Sequence, residues 1–187
     1  MTTCTEIWVD RSDYRNTKVV TEPLRPLEDG EVVVAIDKFG LTANNVSYAV
    51  SGDFIGYWKF YPAPDNWGKV TVWGCANVIE SRCAEIAVGE RLYGFFPMSS
   101  HTILQPGKIR DDSFIDVAPH RKELPGTALY SSYRRTQAEP DIVRQFEDER
   151  CLLFPLIATG YVLYDYLVDN DFFGAQQVVV GSASSKT

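Results

Sequence analysis

The first two thirds of the chain alternate short runs of β-branched residues with turn residues. Val- and Ile-rich runs are stopped repeatedly by Gly, Pro, Asn and Asp, a pattern typical of short strands joined by turns. Such a set of short strands is buried economically in an antiparallel barrel, which leaves few exposed edges. The strands that this pattern predicts are Glu6–Val9, Thr17–Thr21, Glu31–Phe39, Lys69–Ser81, Glu90–Phe96 and His101–Gln105.

Two segments inside this region do not have the strand pattern. Residues 40–52 contain Asn44, Asn45 and Ser47, any of which can start a short helix. Residues 53–68 are rich in aromatic residues, Pro and Gly and have no clean period, so we predict a loop there. This loop is either a binding loop or a lid on the barrel.

After about Leu124 the period of the apolar residues becomes helical. Glu139-Pro140-Asp141 has the proline and acidic residues that favour a first helical turn, and the helix is expected to continue to Glu149. A second helix is predicted over Pro155–Val168, where both sides are apolar, so it should be buried between layers. Finally, Gln176–Val180 is predicted to be a strand that leads into a Gly- and Ser-rich end.

Charge and composition exclude several classes of partner. The net charge is −7 and no basic stripe is present, so a nucleic-acid partner is not expected. The longest apolar run, near 151–168, is interrupted by Pro155, Gly160 and Asp165, so we expect no membrane span or membrane partner. The four cysteines form no Cys-x-x-Cys pair, which indicates reduced thiols in a cytoplasmic protein.

Four segments, in this order, resemble the medium-chain dehydrogenase/reductase superfamily, especially its zinc-free quinone oxidoreductase branch. Within that superfamily, an offshoot family of unknown function is most similar in sequence at three places: Trp73-Gly74, residues 94–97 and the final Ser-Ala-Ser-Ser-Lys-Thr. The four segments match a long barrel strand, a short helix, a turn with its strand and a connecting helix, and they are Glu31–Leu41, Tyr48–Gly52, Val88–Gly94 and Leu152–Leu167.

The resemblance implies a mainly β fold with α-helices. A GroES-like, partly open β-barrel over residues 1–125 would form the substrate side, and connecting helices would follow over 126–173. Residues 174–187 would be the first strand and phosphate loop of a Rossmann domain. A parallel strand of such a domain is normally buried on both faces, and a single strand cannot be covered in this way. The sequence is therefore expected to be a truncated piece.

The small residues at the end of the chain are the candidate cofactor site. A strand that runs into small residues and a helix start can present backbone amides to a phosphate. The run matches neither the dinucleotide fingerprint nor a Walker A loop, since serines replace the glycines that both need. An ordinary polar connection is the alternative. The candidate NADP(H)- or NAD(H)-binding residues are Gly181, Ser182, Ser184, Ser185, Lys186 and Thr187.

A catalytic zinc is not expected. Such a site needs three protein ligands, and the segment 42–45, where the resemblance places the first ligand, has no Cys or His. Without a metal, a reductase of this kind would polarise its substrate carbonyl by hydrogen bonds. Tyr48, Asn44 and Asn45 are the candidate catalytic residues, because they lie in the segment that faces the cleft in the resembling enzymes.

Simpler roles are open for each of these residues. Tyr48 can pack on the barrel, and the asparagines can cap a helix. His101 is expected to be a strand histidine rather than a proton donor. A group of aromatic residues could line an apolar substrate pocket, form the barrel core or make a subunit contact, and its members are Phe54, Tyr57, Trp58, Phe60, Tyr61 and Trp67.

Two functions follow. The first is the N-terminal portion of a zinc-independent, nicotinamide-dependent oxidoreductase that reduces a carbonyl or enone small-molecule substrate. The second is a non-catalytic GroES-like module for binding or oligomerisation, which the missing zinc ligands and irregular glycine pattern favour. A homodimer is compatible with both.

Overall fold

The computed structural model describes residues 2–122, 124 and 127–181. Ten strands account for most of the regular structure of the barrel, and all of their pairings are antiparallel. They are β1 Thr3–Asp10, β2 Thr17–Pro23, β3 Val32–Gly40, β4 Trp67–Gly68, β5 Thr71–Ser81, β6 Arg91–Pro97, β7 His101–Leu104, β8 Pro106–Gly107, β9 Ser113–Asp116 and β10 Ser132–Arg135.

Seven of these strands curl into a nearly closed barrel. Their order across the sheet is β7-β3-β5-β6-β10-β9-β8. Since β7 ends at Leu104 and β8 begins at Pro106, the two ends of this order are consecutive in sequence and meet in space. The other three strands, in the order β2-β1-β4, join the barrel where the backbone of Ser100 donates to Thr5 (2.8 Å). The mixed β/α class and the barrel expected from the sequence are confirmed.

The barrel interior is apolar, with one charged pair at its edge. Arg121 and Asp116 form an ion pair of 2.8 Å in which both side chains are fully buried. Ser131 and Tyr133 lie within hydrogen-bonding distance of the same guanidinium group. The central cluster consists of Val32, Val34, Ala76, Val78, Ile86, Leu92, Phe96, Leu104, Phe114 and Tyr133.

The described residues form four α-helices beside the barrel. They are α1 Ala43–Ile55, α2 Thr127–Tyr130, α3 Asp141–Gln145 and α4 Glu147–Asp169. Short 3₁₀ turns cover Tyr57–Lys59, Pro119–Arg121, Thr136–Ala138 and Asp171–Gly174.

Helix α1 is longer than the sequence predicted and starts earlier. Its N-cap is Thr42, and Asn45 is the third helical residue of a capping box, so Asn44, Asn45 and Ser47 do not start the helix. The helix ends at Gly56, which takes a left-handed conformation (φ 76°) that suits glycine. The predicted loop over 53–68 therefore begins with a helix end and a 3₁₀ turn.

Helix α4 begins at Glu147 and contains Pro155 in its interior, so the predicted start at Pro155 is wrong. Proline has no N–H for the carbonyl four residues earlier, here that of Cys151. The backbone of Gly40 comes close to this carbonyl oxygen, and a Cβ on Gly40 would lie 2.4 Å from it. The close approach of β3 therefore occurs at the turn of α4 that lost a helical hydrogen bond.

The prediction that the second helix is buried between layers is also wrong. Only Arg150 and Cys151 are buried in α4. The barrel covers one side of its first turns, and Phe173 contacts Tyr166 near its end, but these described contacts leave most of the helix exposed. By length and composition alone α4 could cross a membrane, and it is the one helix among the described residues of which this is true. The expectation that the chain lacks a span stays a prediction.

The segment after α4 differs from its expected conformation. The described residues 176–180 are exposed and form no strand, because a strand requires a hydrogen-bonded neighbour and none of the described residues provides one. Of the candidate phosphate loop, Gly181 is described and exposed, whereas Ser182, Ser184, Ser185, Lys186 and Thr187 lie outside the described residues. Their assignment to a Rossmann domain stays a prediction.

Candidate functional site

A cavity of about 530 Å³ lies between the barrel and α4, and we call it the aromatic cavity. Its barrel side is formed by Tyr48 of α1, Trp73 of β5 and Tyr130 of α2. Its volume is within the usual range of ligand pockets, about 300–1,000 Å³. Leu129 of α2 also lines the cavity. The other lining residues belong to α4 and are mostly apolar: Phe154, Pro155, Ala158, Thr159, Val162, Leu163 and Tyr166.

The start of α1 places Tyr48 at this cavity. The side-chain oxygen of Asn45 accepts a hydrogen bond from the backbone N–H of Thr42 (2.6 Å). The amide nitrogen of Asn45 donates to the carbonyl of Thr71 on β5 (2.8 Å). These bonds fix the first turn of α1 against the sheet, and Tyr48 follows one turn later. Asn45 thus has a clear structural role, and the described contacts direct its amide to the backbone.

Tyr48 has an aromatic and polar surrounding. Its ring stacks on that of Tyr57 with centroids 4.5 Å apart and meets the edge of Phe95 at 6.0 Å. Burial raises the pKa of Tyr48 to about 12, with a further increase from Tyr130, while hydrogen bonds from Tyr57 and Trp73 oppose the rise. The hydroxyl is therefore protonated at neutral pH and hydrogen-bonded to Tyr130, and a ligand that accepts its proton would take the place of Tyr130.

Asn44 is close to Tyr48 but differs from it in exposure. It is exposed, and together with Asn45 and Tyr48 it borders a small cavity of about 20 Å³ beside Cys151. A space of this size holds about one water molecule. The three candidate catalytic residues are thus neighbours, and of the three only Tyr48 lines the aromatic cavity.

The aromatic group singled out from the sequence lies mainly elsewhere. Tyr57, Phe60 and Tyr61 are buried together in a core cluster with Phe95, whereas Phe54 is 95% exposed. Apart from Tyr48, the aromatic side chains that line the cavity were not predicted as site residues; they are Trp73, Tyr130, Phe154 and Tyr166. They come from three separate elements, so no sequence spacing connects them.

The other candidate groups lie away from the cavity. His101 is a residue of β7, and its Nδ1 lies 2.9 Å from the hydroxyl of Ser100, as expected for a strand histidine. Among residues 2–122, 124 and 127–181, no group of three Cys, His, Asp or Glu side chains is placed to hold a metal ion.

Two solved structures are similar to part of this chain. The quinone oxidoreductase of Coxiella burnetii is 13% identical, with a TM-score of 0.37 over 57% of this chain and 38% of its own length. A mycobacterial protein solved in complex with NADPH is 18% identical, with a TM-score of 0.37 over 58% of this chain and 33% of its own length. The chain thus covers about a third of the length of each of these proteins.

Sequence comparison gives a family. No curated protein matches the chain. The family model described as "Protein of unknown function (DUF2855)" matches residues 39–187, which include α1, most of the barrel and α4. The chain belongs to the DUF2855 family.

Proposed function

We propose that this chain forms the substrate side of a zinc-independent, nicotinamide-dependent oxidoreductase that reduces a carbonyl or enone. The observation that carries the proposal is the protonated hydroxyl of Tyr48 at the wall of the aromatic cavity. A neutral donor in an apolar pocket is suited to a carbonyl oxygen, on which negative charge develops during reduction. Because most of the lining side chains are apolar or aromatic, the cavity favours a planar conjugated substrate.

The cavity also suits a nicotinamide ring, which when bound supplies a hydride to the substrate. The rings of Trp73 and Tyr130 are neighbours, with centroids 6.0 Å apart and planes tilted by 39°, and mostly apolar residues of α4 line the opposite side. In this arrangement Trp73 and Tyr130 orient the substrate and exclude water. Tyr48 holds its proton on the hydroxyl oxygen and donates it as a hydrogen bond to the substrate oxygen.

The end of the chain would contribute to cofactor binding. On this proposal, 176–180 form the first strand of a nucleotide-binding domain, and backbone and side-chain donors of 181–187 hold the cofactor phosphate. Lys186 would favour NADPH through its positive charge. The superfamily resemblance of the sequence supports this assignment.

A Tyr48→Phe substitution in the complete gene product tests the role of Tyr48. Loss of one donor to a developing oxyanion typically lowers kcat about 100-fold or more, so kcat/KM for an enone or quinone should fall by about that factor. Cofactor affinity should change little. The matched control is Tyr166→Phe, because Tyr166 lines the same cavity from α4. Equal activity of Tyr48→Phe and wild type would contradict the role of Tyr48.

The second candidate is a non-catalytic module that associates through α4. It is favoured by the large exposed apolar side chains on this helix, among them Ile157, Tyr161 and Leu163. This function predicts self-association that does not depend on cofactor. Multi-angle light scattering measures it directly, and a strictly monomeric chain at all concentrations would contradict it.

A further inference from the structure

Two cysteines from distant parts of the sequence meet where α4 contacts the barrel. Cys75 of β5 is 0% exposed and Cys151 of α4 is 5% exposed, and both belong to one buried cluster with Tyr93. Both cysteines are free, and their thiols are close enough for each to shift the pKa of the other. Neither cysteine lines the aromatic cavity, and the proposed reduction uses neither of them.

The two thiols are chemically unequal. The thiol of Cys75 donates to the sulfur of Cys151, which lowers the pKa of Cys151 despite its burial, with a smaller contribution from Lys38. The same hydrogen bond, together with burial, raises the pKa of Cys75. The thiolate is the nucleophilic form of cysteine, so Cys151 is the one that reacts first with an oxidant.

Cys151 also has a route to solvent. It borders a surface cavity of about 330 Å³ together with Lys38, Phe39, Asp148 and Leu152. A small oxidant such as a peroxide fits this space. Cys4 is different, because its thiol donates to the carbonyl of His101 (3.0 Å) and burial raises its pKa.

We propose that Cys75 and Cys151 form a thiol-oxidation site in which a peroxide closes a disulfide between β5 and α4. Cys151 first gives up its thiol proton. Its thiolate attacks one peroxide oxygen, the O–O bond breaks, Cys151 becomes a sulfenic acid, and the departing hydroxide takes up that proton and leaves as water. The sulfur of Cys75 then attacks the sulfenic sulfur, its proton goes to the departing hydroxyl, and a second water leaves. Two thiols are oxidised and one hydrogen peroxide is reduced to two waters.

The disulfide would fix the wall of the aromatic cavity. Cys151 is followed closely in α4 by Phe154 and Pro155, which line that cavity. A covalent bond from β5 therefore holds this part of the helix at a set distance from Trp73, which lies two residues before Cys75. Oxidation would thus control the shape of the cavity without touching Tyr48.

Peptide mapping of the full chain tests the site. The protein is treated with hydrogen peroxide, remaining thiols are blocked with N-ethylmaleimide, and the digest is examined by mass spectrometry without reductant. The free thiols should fall from four to two, with a peptide pair that joins Cys75 to Cys151 and is released by dithiothreitol. A linked pair that contains Cys4 or Cys83, or four unchanged thiols, would overturn the proposal.

Single substitutions separate the roles of the two sulfurs. In Cys75→Ser the disulfide cannot form, so dimedone should trap a sulfenic acid on Cys151. The matched control Cys4→Ser should still form the Cys75–Cys151 link. If dimedone labels Cys75 in Cys151→Ser as fast as it labels Cys151 in Cys75→Ser, the assignment of Cys151 as the attacking sulfur is overturned.

Discussion

The barrel and helix α4 are both rich in apolar residues, but they differ in where those residues lie. In the barrel, Val34, Leu92 and Phe96 are fully buried against each other. In α4, Ile157, Leu163 and Val162 are mostly exposed. The barrel therefore satisfies its hydrophobic pattern within the described residues, whereas α4 keeps a surface that is available to a ligand, another domain or another chain.

Helix α4 is held mainly through its first turns. Arg91 of β6 forms two hydrogen bonds of 2.7 Å with Glu147, and Arg150 pairs with Glu139 and lies 3.7 Å over the ring of Tyr93. Beyond Cys151 the helix extends along the aromatic cavity. The position of α4, which forms one wall of the aromatic cavity, therefore depends on a small group of contacts near residues 147–151.

The same substitution in the two regions gives the largest contrast. Leu92→Ala removes a side chain that is 0% exposed and should lower the free energy of unfolding by about 2–5 kcal/mol. Leu163→Ala removes one that is 58% exposed and should lower it by less than about 0.5 kcal/mol. Urea unfolding measures both values, and similar losses would show that α4 is covered as well as the barrel.

The contact between β3 and α4 can be broken at Gly40. A Cβ in Gly40→Ala would meet the carbonyl of Cys151, so we expect a loss of about 1–3 kcal/mol and faster amide hydrogen exchange in α4. The control is Gly181→Ala, where the added Cβ has no described atom within 4 Å. Unchanged exchange in α4 after Gly40→Ala would show that this approach does not hold the helix.

The Glu147–Arg91 pair should give the smallest effect and an acid dependence. Hydrogen bonds from Arg91 lower the pKa of Glu147 below its unfolded value of about 4.3. The pair therefore stabilises the fold above that pH, and this contribution is lost as the pH falls through the lower folded value. Acidification from neutral pH to pH 3 should lower the free energy of unfolding of both proteins. The loss should be smaller in Glu147→Gln than in wild type, by about 0.5–1 kcal/mol.

Glu149→Gln is the control for this titration. Glu149 is exposed on the same turn of α4, and its substitution keeps the Glu147–Arg91 pair. Its acid loss should match that of wild type. If Glu147→Gln also follows the wild-type profile, the pair does not anchor α4.

Six of the strands could be predicted from their apolar runs, and four short ones could not. The strands β1, β2, β3, β5, β6 and β7 were expected close to their observed positions. The strands β4, β8, β9 and β10 have two to four residues, and although β7 is equally short, only β7 was recognised from its sequence. Their pairing is set by neighbours far away in the sequence, as is the buried Arg121–Asp116 pair.

The catalytic role of Asn44, Asn45 and Tyr48 stays a prediction. The three residues border the small cavity beside Cys151, and only Tyr48 also lines the aromatic cavity. Trp73 and Tyr130 reach the cavity from β5 and α2 through tertiary packing, which no local pattern encodes. The interior position of Pro155 was missed because proline is expected in the first turn of a helix. The nearby approach of Gly40 to the carbonyl of Cys151 joins residues far apart in the sequence.

The proposed nicotinamide dependence is tested most directly by a calorimetric titration of NADPH into the complete gene product, with and without the substitution Lys186→Ala. We expect saturable binding of one NADPH per chain, and an affinity about 10- to 100-fold lower in Lys186→Ala, since a charge-assisted hydrogen bond contributes about 1.5–3 kcal/mol. The absence of any binding heat for NADPH and NADH, confirmed by unchanged cofactor fluorescence, would contradict it.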